Sequence, residues 1–292
     1  MTAPENPYEN AVDTTAETTP PAEEKGARKS SRIPGTAWAL VLGAVLIAGA
    51  GGFFLGQQTT ATSTVLGREV AAGTNFSGPR ALDSGLYDAT IHGPGGPLTD
   101  PEDITVIHRR DDADPFAIGA LDAPIVISEF SDTECPFCAR HTRDTEHQII
   151  ERYVDAGLVR IEWNDMPING DASVGGAKAV RAAAEQGKFH EFKTELYANH
   201  PTAGGHPDFG VEDYVHFAET VGVPDIELFR AHATDTTFDA AIAEARSYGQ
   251  QIGITGTPSF VVGSQYLSGA QPYPNFERAI LGELAMLGLS SE

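Results

Sequence analysis

The segment Phe130–Cys138, with the sequence FSDTECPFC, contains the only two cysteines of this 292-residue chain. Cys135 and Cys138 are three positions apart, so their thiols can form a disulfide within one helical turn. Pro136 fits the first turn of a helix, where its missing N–H group is not needed. We therefore expect Cys135 at a helix N-terminus, where free N–H groups and the helix dipole stabilise a thiolate.

A Cys-x-x-Cys pattern at a helix start predicts a redox site. It lowers the thiol pKa from ~8.5 into the range of roughly 3.5–7.5. Cys138, one turn further along, is placed to resolve a mixed disulfide formed at Cys135. A secreted protein held by structural disulfides normally has more cysteines than this single pair, which indicates that the pair is free to cycle.

The chain is strongly acidic, with 41 acidic and 19 basic residues and a formal net charge of −22. An acidic surface repels phosphate backbones, so nucleic acid is not an expected partner. We interpret the charge as a solvated surface, with a preference for basic clients as the alternative. The sequence has no phosphate loop, nucleophile elbow or zincin motif, and we expect no cofactor and no metal. A Cys₂His metal site that includes His141 is disfavoured because zinc needs four ligands, and we expect His141 to be solvated.

Residues 37–55 form an uncharged apolar run that would span about 28 Å as a helix, close to the thickness of a bilayer core. Four basic residues precede the run, and the next charged residue is Arg68. This asymmetry predicts a single-pass signal-anchor in the cell membrane, with a cytoplasmic N-terminus and an extracytoplasmic C-terminal domain. A signal peptide cleaved near Ala48–Ala50 is the alternative; the long leading segment and the continuation of the run to Leu55 favour the anchor.

Composition divides the chain into four parts. Residues 1–32 are predicted to be a disordered cytoplasmic tail, 33–56 the transmembrane anchor, and 57–103 an extracytoplasmic linker rich in Gly and Pro. The globular domain is predicted to span 104–292.

The pattern of this domain begins with strands at Ile104–Ile107 and Ile125–Phe130. A helix follows from Cys135 to about Ala156, ended by Gly157, and then a strand at Leu158–Trp163, so that the last three elements make a βαβ unit. Helical patterns fill about 172–253. Two strands joined by a tight turn and an amphipathic helix close the chain; these three elements are predicted at Ser259–Val262, Gln265–Leu267 and Asn275–Leu287.

This order, with Cys135–Cys138 (CPFC) on the first helix and Gly256–Val262 (GTPSFVV) at the hairpin, resembles the thioredoxin fold. More narrowly it resembles the DsbA-type branch, in which a helical subdomain is inserted between the two halves. The resemblance covers 104–292, and the family's frequent Trp after Lys-Phe is replaced here by His190. Three further segments match the family pattern, namely Asp122–Pro124, Phe130–Asp132 and Gly187–Phe189. The expected fold class is α/β: a thioredoxin fold with an inserted helical subdomain, preceded by one transmembrane helix.

The resemblance implies that the Thr257–Pro258 bond is cis and faces the catalytic pair Cys135 and Cys138, in a loop that binds the client. Glu129 lies six residues before Cys135 on a strand expected to be buried. It is either a strand-end residue that reaches solvent or a buried proton carrier for Cys138. The resemblance favours the second interpretation, because the corresponding position in the family carries an acidic residue.

The function that the resemblance implies is thiol:disulfide oxidation of reduced exported proteins. Reoxidation would come from a membrane partner that is DsbB-like or vitamin K epoxide reductase-like. Two alternatives stay open, namely a reductase or isomerase on the same fold and a membrane-tethered, non-catalytic assembly or binding module. Phe137 brings no charge between the cysteines, so the sequence does not fix the reduction potential.

Overall fold

The computed structural model describes residues 62–65, 68–94 and 104–289, with side chains for 70–94 and 104–287. The predicted tail and anchor, 1–32 and 33–56, lie outside these ranges. Among the helices of the described ranges, none combines the length and the apolar character needed to cross a bilayer.

A separate antiparallel hairpin consists of β1 Thr62–Val65 and β2 Arg68–Ala71. The strands that follow are β3 Ala117–Ile118, β4 Ile125–Ser131, β5 Val159–Asp165, β6 Ser259–Val262 and β7 Gln265–Ser268. These five strands form a mixed sheet with the order β3-β5-β4-β6-β7. β4 and β5 are parallel, whereas β6 runs antiparallel to β4, β7 to β6, and β3 to β5.

Every residue of β4, β5 and β6 is buried, because helices cover both faces of the sheet. On one face, Ile127 of β4 and Phe260 of β6 pack against the helical run 136–154 and the last helix, Tyr273–Leu289. On the other face, Phe130 packs in a cluster with Tyr248 of the helix Asp239–Gln251. The predicted βαβ unit and the closing hairpin and helix are confirmed.

The helical run after the cysteines contains two π-helical stretches. It consists of Pro136–His141, the π-helical stretch Thr142–Glu146, His147–Ile149 and a second π-helical stretch, Ile150–Val154. Gly157 follows in a left-handed conformation (φ 72°), which a glycine adopts without steric cost, as the sequence predicts for the end of this helix.

The inserted subdomain is helical, as predicted. Its own core is formed by aromatic and small residues of successive helices, and it includes both cysteines at its edge. The helices are Asp171–Glu185, Phe189–Ala198, Val211–Thr220, Ile226–Thr234 and Asp239–Gln251.

One prediction for the segment before the sheet differs from the structure. Ile104–Ile107 is a 3₁₀ helix, and only Ile107 of these four residues is buried. An apolar run needs a partner strand to become a strand, and this one has none in the described sheet.

Residues 70–94, predicted within the linker, lie along the folded domain. The Gly73 N–H donates to the Gly157 carbonyl at 2.8 Å, and the Tyr87 N–H donates to the Glu185 carbonyl at 2.8 Å. Arg181, itself paired with Asp165, donates to the Ala89 carbonyl. These bonds hold the segment against both the thioredoxin core and the inserted helices.

Candidate active site

Cys135 is the N-cap residue of the first helix of the core. Its backbone is extended (φ −78°, ψ 119°), and Pro136 takes the first helical position. The Cys135 carbonyl accepts from the Ala139 N–H at 3.2 Å, and the Cys135 N–H donates to the Asp132 carbonyl at 3.0 Å. The predicted placement of Cys135 at a helix N-terminus is confirmed.

The two cysteines are free thiols with opposite environments. The Cys138 thiol donates a hydrogen bond to the Cys135 sulfur, and this bond is the main cause of the low Cys135 pKa of about 6. Burial opposes the bond, whereas Thr257 and the backbone N–H groups of Cys138 and Phe137 act in the same direction as the bond. Cys138 is fully buried, and burial followed by the nearby Cys135 sulfur raises its pKa well above the usual range. The site therefore separates a thiolate from a thiol.

The loop before β6 faces Cys135. The Thr257–Pro258 bond is cis, as the resemblance implies. The Cys135 thiol donates to the Thr257 carbonyl with an Sγ···O distance of 3.3 Å. Pro258 is buried, and its carbonyl accepts from the Gly269 N–H at 2.8 Å. The structure thus brings Cys135, Cys138, Thr257 and Pro258 together.

The Asp132 carboxylate fixes the turn between β4 and the cysteines. Oδ1 accepts from the Glu134 N–H at 2.8 Å and the Ser173 hydroxyl at 2.7 Å. Oδ2 accepts from the Ile168 N–H at 2.7 Å and the Asn169 side-chain amide at 2.8 Å. The sequence predicts no role for Asp132; the signal that identifies it is the bond to the N–H two residues on, which is an Asx turn.

A glycine of the inserted subdomain allows close contact with this turn. A Cβ added to Gly176 would lie 2.1 Å from Thr133 Oγ1. On its other side, the Thr133 carbonyl accepts from His200 Nε2 at 2.7 Å. Thr133, two residues before Cys135, is therefore held by the insertion from two directions.

Glu129 lies on β4 and is buried, as predicted. Lys193 Nζ, from the helix Phe189–Ala198, lies 3.7 Å from Glu129 Oε2 and 2.5 Å from Glu146 Oε1. Each of the three side chains is at most 2% exposed. One ammonium group in the interior thus faces two carboxyl groups, a set that we name the Lys193 cluster.

A single lysine balances the charge of only one carboxylate. Burial raises the pKa of Glu129; Lys193 opposes this effect and Glu146 adds to it. For Glu146, burial also raises the pKa, but the charge and hydrogen bond of Lys193, together with two nearby histidines, outweigh burial and bring the pKa to about 2. Glu146 and Lys193 form the ion pair, and Glu129 is the carboxyl group of the cluster that holds a proton more readily.

The Lys193 cluster lies behind Cys138. The Ser131 hydroxyl is beside both the Cys138 thiol and the Glu129 carboxyl, and it lowers the pKa of each. Burial lowers the pKa of Lys193, but the two carboxyl groups outweigh it, and negative charge on Cys138 acts in the same direction. Glu129 is predicted from the sequence, but its partners Lys193 and Glu146 are not, since they belong to elements remote from β4 along the chain.

His141 is buried, so the expectation that it is solvated is wrong. It is 3% exposed, and its ring packs against Phe260 and Phe276 at centroid distances of 4.4 and 5.1 Å. Burial lowers the pKa of His141 to about 4, although the Glu146 carboxylate opposes this effect. Its spacing of three from Cys138 directs the ring toward β6 and the last helix.

Family models match most of the described chain. A model described as "Thioredoxin" matches residues 111–281, which is more than half of the chain. A second, described as "DsbA, N-terminal domain", matches residues 53–107.

Curated relatives fall into two groups. The Na(+)/H(+) antiporter NhaA 3 of Salinispora tropica is 28% identical over 176 residues, which are 60% of this chain and 25% of the antiporter. The chain thus spans about a quarter of the length of that relative. The probable disulfide bond formation protein D of Bacillus cereus is 26% identical over 165 residues, which cover 55% of this chain and 73% of that protein.

Solved structures share the fold. BdbD from Bacillus subtilis, in its oxidised form, aligns with a TM-score of 0.55 and 22% identity over 58% of this chain and 92% of its own. DsbA from Chlamydia trachomatis aligns with a TM-score of 0.52 and 20% identity over 59% and 92% of the two chains. These likenesses agree with the fold, and the extent of the family match gives the assignment: the chain belongs to the thioredoxin family.

Proposed function

We propose that this protein is an extracytoplasmic thiol:disulfide oxidase that transfers the Cys135–Cys138 disulfide to reduced exported proteins. The observation that supports this most directly is the contrast between the two thiols. A Cys135 thiolate with a pKa of about 6 is stable in the reduced protein, and stabilising the reduced form makes the disulfide a stronger oxidant.

The reaction proceeds through one mixed disulfide. A client thiolate attacks the Cys135 sulfur, the Cys135–Cys138 bond breaks, and Cys138 leaves with the electron pair and takes up a proton. The client's second thiolate then attacks the client sulfur of the mixed disulfide and releases Cys135 as a thiolate. The client loses two electrons and the protein gains them, so no cofactor is consumed.

Thr257 and Pro258 are proposed to position the client chain. The Thr257 carbonyl accepts from Cys135 only when that sulfur is protonated. As a thiolate or in the disulfide, Cys135 has no hydrogen to donate, so this carbonyl is free to accept an N–H from an extended client backbone. Pro258 has no N–H, so at this bond the loop offers the client an acceptor without a donor beside it.

Glu129 is proposed to supply the proton that Cys138 takes up. Cys138 is fully buried, so its proton must come through the protein interior. Glu129 is the carboxyl group whose pKa is raised, and the Ser131 hydroxyl beside both groups connects them. A neutral carboxyl group near the leaving sulfur acts as a general acid.

Anchoring by 33–56 and reoxidation by a DsbB-like or vitamin K epoxide reductase-like membrane protein are parts of the same proposal. They rest on the apolar run, its basic flank and the resemblance. Protease added to intact cells is expected to remove the C-terminal domain, whereas a mature protein that begins near residue 51 would indicate a cleaved signal peptide instead.

Equilibration of the full-length chain with glutathione buffers tests the direction of transfer. We expect a potential more oxidising than about −200 mV, whereas a reductase would lie near about −270 mV. In the same buffers, Cys138→Ala is expected to accumulate mixed disulfides through Cys135, and Cys135→Ala to form none. A chain that stays reduced or oxidised whatever the buffer would support the non-catalytic module.

A further inference from the structure

His141 lies between a cavity and the buried charges behind Cys138. It lines an open cavity of about 550 Å³ next to the active-site helix, together with Arg140, Asp144, Gln148 and Tyr273. Its Nδ1 atom, in contrast, is completely buried and has no hydrogen-bond partner in the described part of the protein. His141 therefore borders the cavity, while one nitrogen of its ring is enclosed by the interior.

The winding of the helix brings His141 to the Lys193 cluster. Thr142–Glu146 is π-helical, and π-helical bonds join residues five apart, so His141 and Glu146 come to lie on one face. In a regular α-helix residues five apart point in different directions. The Glu146 charge and the Lys193 charge both act on the His141 imidazole.

Several buried polar atoms of this region have no hydrogen-bond partner. Buried polar groups in folded proteins are nearly always hydrogen-bonded, so such exceptions indicate a function or internal water. Of eleven such atoms in the described residues, five belong to His141, to the adjacent Thr142 and to the two carboxyl groups of the Lys193 cluster: Glu129 Oε1 and Oε2, Thr142 Oγ1, Glu146 Oε2 and His141 Nδ1.

We infer that His141 relays protons between the cavity and the Lys193 cluster, and thereby sets how fast Cys138 can gain or lose its proton. This inference rests on the proposed function. His141 does not touch the reacting sulfurs, so it acts through Glu129 as a positioning and relay residue.

Transfer of the disulfide to a client requires one proton at Cys138. Cys138 leaves Cys135 with the bonding electrons and takes the Glu129 proton by way of the Ser131 hydroxyl. Glu129 is then a carboxylate and regains a proton from cavity water through His141, in which one ring nitrogen accepts a proton as the other releases one. Reoxidation needs the reverse: the reduced protein holds protons on both Cys138 and Glu129, and one must leave before Cys138 can attack.

The groups that face His141 come from four elements. Arg140, Asp144 and Glu146 are on its own helical run, and Lys193 comes from the inserted helix. The rings of Phe260 on β6 and Phe276 on the last helix are neutral; Tyr273 borders the cavity. The low pKa of His141 keeps the ring neutral at pH 7, which is the form able to accept a proton on one side.

Oxidation of the reduced full-length chain by glutathione disulfide occurs in two steps, and the proposed relay should affect only the second. In a second-order step, the Cys135 thiolate attacks glutathione disulfide. In a first-order step, Cys138 attacks the mixed disulfide and forms the Cys135–Cys138 disulfide; we call this step ring closure. Acid quenching and mass spectrometry count the reduced, glutathionylated and oxidised species over time.

For His141→Phe, which keeps an aromatic ring against Phe260 and Phe276, we expect ring closure to slow about tenfold or more, within the range of general acid–base effects. The second-order step should be unchanged. Gln148→Leu, which alters the same cavity wall without removing a titratable ring, should leave both steps unchanged. Ring closure at the parent rate in His141→Phe would overturn the relay, whereas a parent chain that does not exchange at all would refute the proposed function itself.

Rescue by small molecules distinguishes proton transfer from packing. His141→Ala enlarges the cavity, and added imidazole should restore the rate of ring closure. The pH dependence of the restored rate should follow the pKa of the added imidazole. Toluene, which fills space but carries no proton, should not restore it. Equal rescue by toluene would assign His141 a packing role and overturn the relay. If His141→Ala does not fold, the ring-closure rate of His141→Phe decides.

Discussion

Removal of the Cys138 thiol should make Cys135 much less acidic. The hydrogen bond from Cys138 is the largest of the effects that lower the pKa of Cys135 to about 6, ahead of the backbone N–H groups at the helix start. Cys138→Ala deletes this donor but leaves Pro136, the helix N-terminus and the Thr257 carbonyl in place. The variant therefore isolates one of the forces that stabilise the thiolate.

The size of the effect follows from the strength of the bond. A hydrogen bond to a charged group contributes about 1.5–3 kcal/mol. One pKa unit corresponds to ~1.4 kcal/mol, so loss of the bond should raise the pKa of Cys135 by about one to two units. We expect a pKa of roughly 7–8 in Cys138→Ala, still below the ordinary value because the helix N-terminus remains.

The rate of alkylation by iodoacetamide as a function of pH measures this pKa directly, since only the thiolate reacts. Cys138→Ser is the matched control, because its hydroxyl can donate the same bond, and its Cys135 should titrate within about half a unit of the parent. A pKa near 6 in Cys138→Ala would refute the reasoning and assign the low pKa to the helix N-terminus alone.

Three further outcomes are expected. Gly176→Ala should lower the free energy of unfolding by about 1–3 kcal/mol, since its Cβ meets Thr133; Gly175→Ala, whose Cβ has contacts at 3.9 Å or more, should not. Because the pKa of His141 in the folded protein is about 4, the unfolded chain binds more protons than the folded chain between pH 4 and 6.5. The free energy of unfolding therefore decreases as the pH falls through this window. In urea titrations, His141→Phe should reduce this decrease. Glu129 has a raised folded pKa, so its ionisation costs stability as the pH rises above about 4.5, and Glu129→Gln should remove that cost.

The features of the fold that the sequence predicts are those with local signals. Pro136 after Cys135 determines the helix start, and Gly157 determines its end with a positive φ. The uninterrupted apolar strands β4 and β5 predict a sheet covered on both faces. In each case the residues on which the prediction rests also determine the local conformation, so contacts with distant parts of the chain change it little.

The failures have a common cause in tertiary context. Ile104–Ile107 is apolar enough for a strand, but strand pairing depends on a neighbour that the local sequence does not reveal. β3 has two residues, Ala117 and Ile118, too few for a periodic pattern. His141 follows the cysteines on a helix whose buried face depends on the positions of Phe260 and Phe276, more than a hundred residues away.

For the site, the sequence identifies the sulfurs and the cis-proline loop but not the charges around them. Asp132 and Glu129 are close to Cys135 along the chain, and a role for Glu129 is predicted from its burial. Lys193 is not predicted, because a lysine on an amphipathic helix is ordinarily exposed. Its burial depends on two carboxyl groups supplied by other elements.

The origin of these charges assigns a chemical role to the inserted subdomain. Lys193 and Tyr197 lie on one inserted helix; the first pairs with Glu146 and the second lies with its hydroxyl 3.1 Å from Ser131 Oγ, beside Cys138. Gly176 of another inserted helix allows contact with the turn before Cys135. The Cys-Pro-Phe-Cys sequence places two sulfurs at a helix start, but the insertion supplies the cation that decides which buried carboxyl group keeps its proton. It follows that changes in the insertion, with the two cysteines untouched, should alter the proton transfers that accompany disulfide exchange.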